Sequence, residues 1–266
     1  MRITFIGGGT MGEAMVKCLL THGVAAPQDI VVSDVSPSRR ELLRKDYGVS
    51  TLADNGKAIE GADLIILAVK PQNLSQVTEE MLKADSLPPA ALVLSIVAGA
   101  SLDSLCQSLN HPSIVRAMPN MPAQIGQGMT VWTATAEVSP KQREIAQAIL
   151  GTLGEEIYVS DEKYLDMATA LSGSGPAYVF LFIEALIDAG VHIGLPRDVA
   201  QKLVIQTVLG STHAVQETHK HPAQLRNMVT SPGGTTAEAL LRLEKGGLRS
   251  LLLEAVTAAY DKAKHL

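Results

Sequence analysis

Aromatic residues are scarce in this chain of 266 residues, at 3 % of the sequence, although hydrophobic residues as a whole make up 46 %. The core must therefore be built from Ala, Val, Ile and Leu, and few rings are available to stack on nucleic-acid bases or sugars. This composition favours a small, polar ligand.

Cysteine is rarer still, since the sequence has only Cys18 and Cys106, far apart and outside any C-x-x-C pattern. Such spacing argues against a disulfide framework and against a zinc site, and it is typical of reduced, intracellular thiols. His219 and His221 lie close together in "THKHP". No third ligand of suitable spacing accompanies them, so no metal site is predicted.

Positive charge is in the minority, because 22 Lys and Arg stand against 27 Asp and Glu, giving a formal net charge of −5. No run of basic residues would suit a phosphate backbone, so nucleic acid is not an expected partner. The apolar start of the chain is far shorter than a secretory signal, and nowhere do about 18 apolar residues follow one another. These absences predict a soluble, cytoplasmic protein with no membrane partner.

The first part of the chain alternates strand-like and helix-like patterns, which predicts a parallel sheet with helices on both faces. "GMTVWTA" and "EEIYVS" are expected to extend this sheet at one edge. The clearest strand patterns are "RITFIG", "DIVVSD", "DLIILAV", "ALVLSIV" and "SIVRAM".

After Ser160 the strand patterns stop and helical patterns separated by Gly or Pro take over. In "AYVFLFIEALIDAG", apolar residues recur at the spacing of an amphipathic helix. The predicted fold is therefore α/β: a Rossmann-type, doubly wound dinucleotide-binding domain over residues 1–159, followed by an all-helical domain over residues 160–266.

"FIGGGTMGEAMVKCLL" places Gly7, Gly9 and Gly12 in a G-x-G-x-x-G motif directly after a strand and at the start of a helix. In this context the first glycine makes the turn, the second lets a pyrophosphate approach, and the third lets helix pack on strand. The phosphates meet the helix N-terminus. The motif predicts a bound nicotinamide dinucleotide, although a glycine turn alone could serve tight packing.

Asp34 ends the second strand, where a carboxylate would accept hydrogen bonds from the ribose hydroxyls of NAD(H) and repel the extra phosphate of NADP(H). Arg39 and Arg40 follow in "SDVSPSRR", and either could reach that phosphate or lie on a solvated helix face. These residues predict NADP(H) or NAD(H) as the cofactor.

Two further loops follow strands, at the edge of the sheet where ligands bind. "LAVKPQ" would bring Lys70 and the rigid Pro71 to the cofactor, and "RAMPNMP" would expose Asn120 on a loop stiffened by prolines. Lys70 and Asn120 could equally be ordinary polar residues at strand ends.

"SPGGTT", residues 231–236, has two interpretations. Thr235-x-x-Glu238 fits a capping box, so the threonines could serve only to start a helix. A Gly-Gly turn entering a helix also leaves bare N–H groups that favour a carboxylate, and a hydroxyl could hydrogen-bond a ring nitrogen beside it. The first interpretation assigns the cap to Thr235, and the second assigns the ligand contact to Thr236.

"GGGTMG", "LAVKPQ", "RAMPNMP", "LSGSGPAY" and "VTSPGGTTAEAL" occur here in the order and spacing found in pyrroline-5-carboxylate reductases, and the chain resembles that family over nearly its whole length. The resemblance implies a Rossmann domain joined to a helical domain through which subunits form homodimers, in some members a decamer of five dimers. It also implies reduction of the cyclic imine 1-pyrroline-5-carboxylate to L-proline with NAD(P)H, the last step of proline biosynthesis.

The resemblance assigns site residues one by one, with Thr236 as the catalytic hydroxyl. The substrate site falls on Ser231, Gly233, Gly234 and Thr235, and the cofactor site on Gly7, Gly9, Thr10, Met11, Gly12, Asp34, Asn55, Ala68, Lys70 and Pro71. Many members have an Asn-Arg pair where this chain has Asp34 and Val35, and some have an acidic residue in place of His219.

Two other functions compete with this one. A hydroxyacid dehydrogenase of related architecture would place a catalytic lysine in the helix after a Gly-x-Gly loop, and "GSGPAYVFLFIEAL" contains none. A non-catalytic NAD(P)-sensing protein would keep "GGGTMG" but would have no use for "SPGGTT".

Overall fold

The structure is a computed structural model that describes residues 1–84 and 87–265. Contacts divide the chain into two compact units, the first made of Met1–Ser174 with Ala259–Leu266 and the second of Gly175–Ala258. The second unit starts later than the change of periodicity near residue 160. A domain boundary at residue 160 therefore remains a prediction.

The first unit is built on one sheet of eight strands in the order β3-β2-β1-β4-β5-β6-β7-β8 among the described residues. Neighbouring strands from β3 to β6 are parallel, β7 runs antiparallel to β6, and β8 runs parallel to β7. The strands are β1 (Ile3–Ile6), β2 (Ile30–Ser33), β3 (Ser50–Leu52), β4 (Leu64–Leu67), β5 (Leu92–Ser95), β6 (Ile114–Met118), β7 (Gly128–Ala134) and β8 (Gly154–Tyr158).

The central strands are fully buried because both faces of the sheet are covered, which is why they read as continuous aliphatic runs. One hydrophobic cluster joins the sheet to helices α1, α2 and α6, and the other joins it to α3, α4 and α5. The doubly wound fold is confirmed, as is the placement of the last two strands at one edge. The helices of this unit are α1 (Thr10–Thr21), α2 (Pro37–Tyr47), α3 (Asn55–Ile59), α4 (Leu74–Lys83), α5 (Leu102–Leu109), α6 (Pro140–Gly151) and α7 (Lys163–Ala168).

Helix starts follow ordinary capping chemistry. Ser36 caps α2, Asp54 caps α3 and Ser101 caps α5, each accepting a hydrogen bond from the third helical amide. Helix α1 is different, because its N-cap is Gly9, which has no side chain to offer.

Strand order fixes where a ligand can bind. The chain leaves β1 for β2 on one side of it and later returns to β4 on the other, so a crevice opens at the carboxyl end of β1. The loops after β1, β2 and β4 meet there. These are the loops that carry the glycine motif, Asp34 and Lys70.

The second unit contains helices and no strand among its described residues. Gly190 and Ala200 allow two of its helices to approach closely, since a Cβ at Gly190 would lie 3.0 Å from that of Ala200. The helices are α8 (Gly175–His192), α9 (Arg197–Thr218), α10 (Pro222–Met228), α11 (Thr235–Lys245) and α12 (Leu248–Ala263), the last of which ends in the first unit.

The predicted apolar stripe of α8 does form on a helix, but it is not buried within the chain. Val179 is 47 % exposed and Phe182 46 %, and on the opposite side of the helix Leu181 is 66 % exposed. No residue of α8 is buried among those described. A soluble domain rarely leaves such a surface open, so this face of the helix is suited to another protein surface.

The helical run Lys163–His192 is long and apolar enough, by length and composition, to cross a membrane, with a mean hydropathy of 1.5 over its best window and only 6 % of that window buried. The run contains Ser, Gly and Pro residues, and also Glu184. A helix that packs against another subunit has the same apolar composition.

Candidate functional site

The three glycines of the G-x-G-x-x-G motif have different structural roles. Gly7 has φ +104°, and a Cβ there would lie 2.6 Å from the Ala68 carbonyl oxygen, while a Cβ at Gly12 would overlap the Gly7 carbonyl oxygen. Gly9 has open space around its missing Cβ. The first and third glycines are therefore required by packing, and the second leaves room for a ligand.

The helix that follows begins without a side-chain cap. Its first backbone hydrogen bond runs from Glu13 N to Gly9 O (2.8 Å), and within residues 1–84 and 87–265 no acceptor lies in reach of the amides of Thr10, Met11 and Gly12. Three free amides at the positive end of α1 form a ready anion site. A pyrophosphate fits both the free amides and the space at Gly9.

A cleft of about 410 Å³ opens beside this turn. It collects most of the predicted cofactor residues, whereas Thr10, Met11, Gly12 and Pro71 are not among its lining residues. The predicted residues in the lining are Gly7, Gly9, Asp34, Asn55, Ala68 and Lys70. Pro71 lies just outside, as the first residue of a 3₁₀ turn, Pro71–Asn73.

Sequence reasoning missed one wall of the cleft, formed by α4 and the turn before it. Gln72, Gln76 and Glu80 line this wall. The available signal was the spacing of Gln76 and Glu80, which puts two polar side chains on one face of a helix whose other face is apolar.

Asp34 lies at the end of β2 with both carboxylate oxygens engaged. Gly8 N donates to Oδ2 and Ser36 N donates to Oδ1, each at 2.8 Å. The same carboxylate that lines the cleft therefore fixes Gly8, the residue between the first two glycines of the motif.

Arg39 holds the opposite side of the Gly8 peptide. Its Nε and Nη2 donate to Gly8 O at 2.8 and 2.5 Å, and Nη2 also pairs with Glu13 Oε2 at 2.6 Å. Tyr47 donates its hydroxyl to Glu13 Oε1 at 2.9 Å. Burial raises the pKa of Glu13, but the hydrogen bonds from Arg39 and Tyr47 outweigh it, and the pKa lies below its ordinary 4.5.

Arg40, the second arginine, donates through Nη1 to the carbonyl oxygens of Asp34 (2.6 Å) and Val35 (3.1 Å). It thus stabilises the turn that follows β2. Val35 itself is 84 % exposed and lines the cleft, where it offers an apolar surface to a ring.

Asn55 is buried and lies between two other side chains. Its Oδ1 accepts from Ser33 Oγ at 2.7 Å, and its Nδ2 donates to Glu80 Oε2 at 2.8 Å. Gln76 donates to the other oxygen of Glu80 at 2.9 Å. This network orders the floor of the cleft, and the cleft as a whole has the amides, carboxylate and apolar surface that a nicotinamide dinucleotide needs.

Asn120 was predicted to be exposed, and that prediction is wrong. The side chain is half-buried, accepting from Met129 N (2.9 Å) and donating to Ser172 O (3.0 Å). Ser172 belongs to a π-helical segment, Thr169–Gly173, within "LSGSGPAY". Asn120 thus fixes a segment of irregular helix of a type that is frequent at functional sites.

In the second unit, "SPGGTT" forms a tight turn into α11. Gly234 N donates to Ser231 O at 3.1 Å, Gly233 has φ +68°, and a Cβ at Gly234 would overlap Ser231 Oγ. Gly233 is therefore required by its backbone conformation, and Gly234 leaves room for the Ser231 hydroxyl.

The predicted cap at Thr235 is wrong. Gly234 is the N-cap of α11, no side chain caps the helix, and Thr235 and Thr236 are its first two residues. The first backbone bond runs from Glu238 N to Gly234 O (3.3 Å), so in the described chain the amides of Thr235, Thr236 and Ala237 have no acceptor. The helix starts as α1 does, with free amides after a glycine turn.

The two threonine hydroxyls make no hydrogen bond within the described residues, although their surroundings differ. Thr235 is exposed, whereas Thr236 is half-buried. A half-buried hydroxyl beside free amides can donate to a ligand held at the helix end. Ser231 Oγ is the other hydroxyl of this turn.

The paired histidines have local roles. His221 Nδ1 accepts from Ala223 N at 3.2 Å and caps α10, and His219 takes a left-handed conformation, φ 52°, at the end of α9. Over residues 1–84 and 87–265, no three His, Cys, Asp or Glu side chains group as they would around a metal ion.

Comparison with known proteins matches both parts of the chain. Residues 162–266 match the family model described as pyrroline-5-carboxylate reductase dimerisation, and residues 2–99 match the model described as NADP oxidoreductase coenzyme F420-dependent. A pyrroline-5-carboxylate reductase of Synechocystis is 44 % identical over 266 residues, which is 100 % of this chain and 98 % of the relative.

Solved structures agree over the whole length. A pyrroline-5-carboxylate reductase from Coxiella burnetii has a TM-score of 0.90 and 40 % identity, covering 99 % of this chain and 97 % of that one. The Plasmodium falciparum pyrroline carboxylate reductase with NADP bound has a TM-score of 0.90 and 32 % identity, covering 100 % and 97 %. Because identity well above 30 % extends over both units, this chain belongs to the pyrroline-5-carboxylate reductase family.

Proposed function

We propose that the chain reduces 1-pyrroline-5-carboxylate to L-proline with NAD(P)H, as an oxidoreductase acting on a cyclic imine. One observation carries this proposal. Two helices, α1 and α11, begin after glycine turns without a side-chain cap and leave three amides free, so the chain offers two anion sites. A dinucleotide and a carboxylate substrate require two such sites.

The amides of Thr10, Met11 and Gly12 would hold the pyrophosphate, with Asp34 at the adenosine ribose, while Ala68, Lys70 and Pro71 would lie along the nicotinamide half. Asn55 orders the floor of the cleft. The bound reduced nicotinamide supplies the hydride. The chain contributes the orientation and the exclusion of water that transfer requires.

The substrate carboxylate would be held by the free amides of α11 and by Ser231 Oγ, in the turn that Gly233 and Gly234 permit. Thr235 adds its backbone amide, and Thr236 Oγ1 donates a hydrogen bond to the ring nitrogen as that nitrogen becomes an amine. This bond strengthens as the reaction proceeds, so it lowers the barrier rather than only aiding binding. No strong acid is required, because a cyclic imine can arrive already protonated.

The rival functions explain fewer of these features. A hydroxyacid dehydrogenase would need a lysine in the helix after the Gly-x-Gly loop, and α8 contains none. A sensor of NAD(P) would use α1 and the cleft but would leave the uncapped start of α11 without a purpose.

The chain is an oligomer-forming enzyme by family membership, and we propose that it forms a homodimer, with a decamer of five dimers as the larger form. The apolar face of α8 and α9 supports a dimer contact. We further propose that residues 1–159 and 160–266 act as cofactor and substrate domains, and that the enzyme works in the cytoplasm, where its unpaired cysteines stay reduced.

The test is turnover. Purified protein is mixed with 1-pyrroline-5-carboxylate and either NADPH or NADH, and both the loss of reduced cofactor and the appearance of proline are followed. We expect proline in proportion to cofactor consumed. Absence of turnover with both cofactors, from a folded and assembled protein, would refute the proposed function.

A further inference from the structure

The adenosine end of the cleft is dominated by a carboxylate. Asp34 lines the cleft at the end of β2, the position from which a side chain meets the hydroxyls of the adenosine ribose. Gly8 N and Ser36 N hold the carboxylate in place from two sides. It cannot rotate away from a ligand without giving up both hydrogen bonds.

The arginines that could offset this charge are already engaged. Arg39 donates hydrogen bonds from Nε and Nη2 to Gly8 O and pairs with Glu13. Its side chain is only 29 % exposed. Arg40 donates to the carbonyl oxygens of Asp34 and Val35. Turning Arg39 toward a phosphate would break its contacts with Gly8 O and Glu13, and turning Nη1 of Arg40 would break the contacts that hold the turn after β2.

The remaining charged side chains of the cleft do not change this balance. Glu80 adds a second carboxylate, and Lys70 follows β4 rather than β2. Because β2 and β4 lie on opposite sides of β1, their ends are about 10 Å apart, two strand spacings. Lys70 is therefore placed for the other half of a dinucleotide.

We infer that this reductase selects NADH over NADPH, with Asp34 as the specificity-determining residue and with Arg39 held away from a 2′-phosphate by its pair with Glu13. The inference rests on the proposed function, since it concerns the cofactor of that reaction. Two unit charges about 4 Å apart interact by enough, at a protein surface, to change affinity by tenfold or more. We expect the Kd for NADPH to exceed that for NADH by at least about tenfold.

The experiment measures binding without substrate, by titrating the assembled protein with NADH and with NADPH and following nicotinamide fluorescence. Asp34→Ser should raise the Kd for NADH, because the backbone amides of Gly8 and Ser36 lose the carboxylate that accepts their hydrogen bonds. The same change should move the ratio of the two Kd values toward one by about tenfold. Glu41→Gln is the control, since it removes an exposed carboxylate of α2 that pairs with Arg44 outside the cleft, and it should leave the ratio unchanged.

Each result of these titrations either supports or overturns the inferred preference for NADH. Wild-type protein that binds NADPH as tightly as NADH, or more tightly, overturns the inference whatever the variants do. If Asp34→Ser does not change the ratio of the Kd values for NADPH and NADH, the role assigned to Asp34 is wrong. The same conclusion follows if Glu41→Gln changes this ratio equally. A marked preference for NADH in a protein that fails to make proline would leave this inference standing and refute the proposed function.

Discussion

Thr235 and Thr236 are adjacent and identical in side chain, and neither caps α11. They form a matched pair, because replacing either by alanine removes a hydroxyl without removing a cap. We expect Thr236→Ala to lower kcat/KM by about tenfold to a thousandfold, the range for one transition-state hydrogen-bond donor. Steady-state kinetics with saturating cofactor measure the effect.

Thr235→Ala is the control for this prediction, since the backbone amide of residue 235 survives the change. It should keep kcat within a few-fold, and Thr236→Ser should restore most of the activity lost in Thr236→Ala. Equal losses from both alanine variants, with thermal unfolding unchanged, would contradict the assignment of the donor to Thr236.

Gly9 and Gly12 differ in what a methyl group would meet. Gly9 has φ −67° and open space, so Gly9→Ala should fold with a midpoint of thermal unfolding near that of the wild type while filling the place of the pyrophosphate. Gly12→Ala would press on the Gly7 carbonyl oxygen and should destabilise the protein. Calorimetry and cofactor titration separate the two effects; stable binding of cofactor by Gly9→Ala would contradict this placement.

Tyr47 predicts a dependence of stability on alkaline pH. Burial and the hydrogen bond to Glu13 raise the pKa of Tyr47 to about 12 from its ordinary 10.0. Because the folded state holds this proton more tightly, its stabilising contribution is complete below pH 10 and is lost as the pH rises to about 12. Urea denaturation across this window should show a steeper loss for the wild type than for Tyr47→Phe; parallel curves would contradict the coupling.

At the level of elements, the attachment of α7 to the sheet depends on one buried cation. Arg116 on β6 pairs with Glu162 at 2.7 Å and with Asp166 at 3.1 Å, and its side chain is 8 % exposed. Arg116→Met would leave two partly buried carboxylates without a cation. We expect the free energy of unfolding to fall by about 3 kcal/mol, as when one partner of a buried pair is removed.

The control for this prediction is Lys163→Met, which breaks an exposed pair with Asp161 at the start of the same helix. It should not change the urea midpoint measurably. Both variants are compared with the wild type at one protein concentration, because the chain forms oligomers. A small effect of Arg116→Met would mean that hydrophobic contacts alone attach α7.

Strong local patterns made much of the fold predictable. The buried parallel strands were visible as aliphatic runs, and the glycine motif located both the first turn and the cleft. β3 was missed because it is three residues long and only partly buried, so it has no aliphatic run. The α4 wall was missed because its polar face resembled an ordinary solvated helix.

Within the candidate site, the turns were predictable because their backbone requires a particular residue type. Glycines at positive φ or in close approach are such positions, which is why both glycine turns were found. The cap of α11 was misplaced by one residue because a threonine beside a glycine fits the same pattern as a threonine cap. Arg39 pairs with a residue 26 positions away in sequence and Asn120 donates to one 52 positions away, and no local pattern contains such partners.

For the whole molecule, the open apolar helices predict that assembly is needed for activity. Leu181, 66 % exposed on α8, is a suitable probe of the proposed dimer contact. Leu181→Glu should shift the mass measured by analytical ultracentrifugation to that of a single chain and lower the specific activity at least about tenfold, since a buried unpaired charge disfavours association.

Ile125→Glu is the matched control, because Ile125 is 75 % exposed but lies in the first unit, on the turn before β7. It should leave both mass and activity close to those of the wild type. If Leu181→Glu remains assembled, the contact between subunits does not use the side of α8 that carries Leu181.

The exposed apolar residues of α8 and α9 also make a newly synthesised chain prone to aggregation until it pairs with another chain. Pairing is a second-order process, so halving the concentration of unpaired chains doubles the average wait for a partner. During that time, apolar side chains such as Leu203, which is 54 % exposed, can associate nonspecifically with other hydrophobic surfaces. The yield of active enzyme is therefore governed by how fast chains are produced relative to how fast they meet.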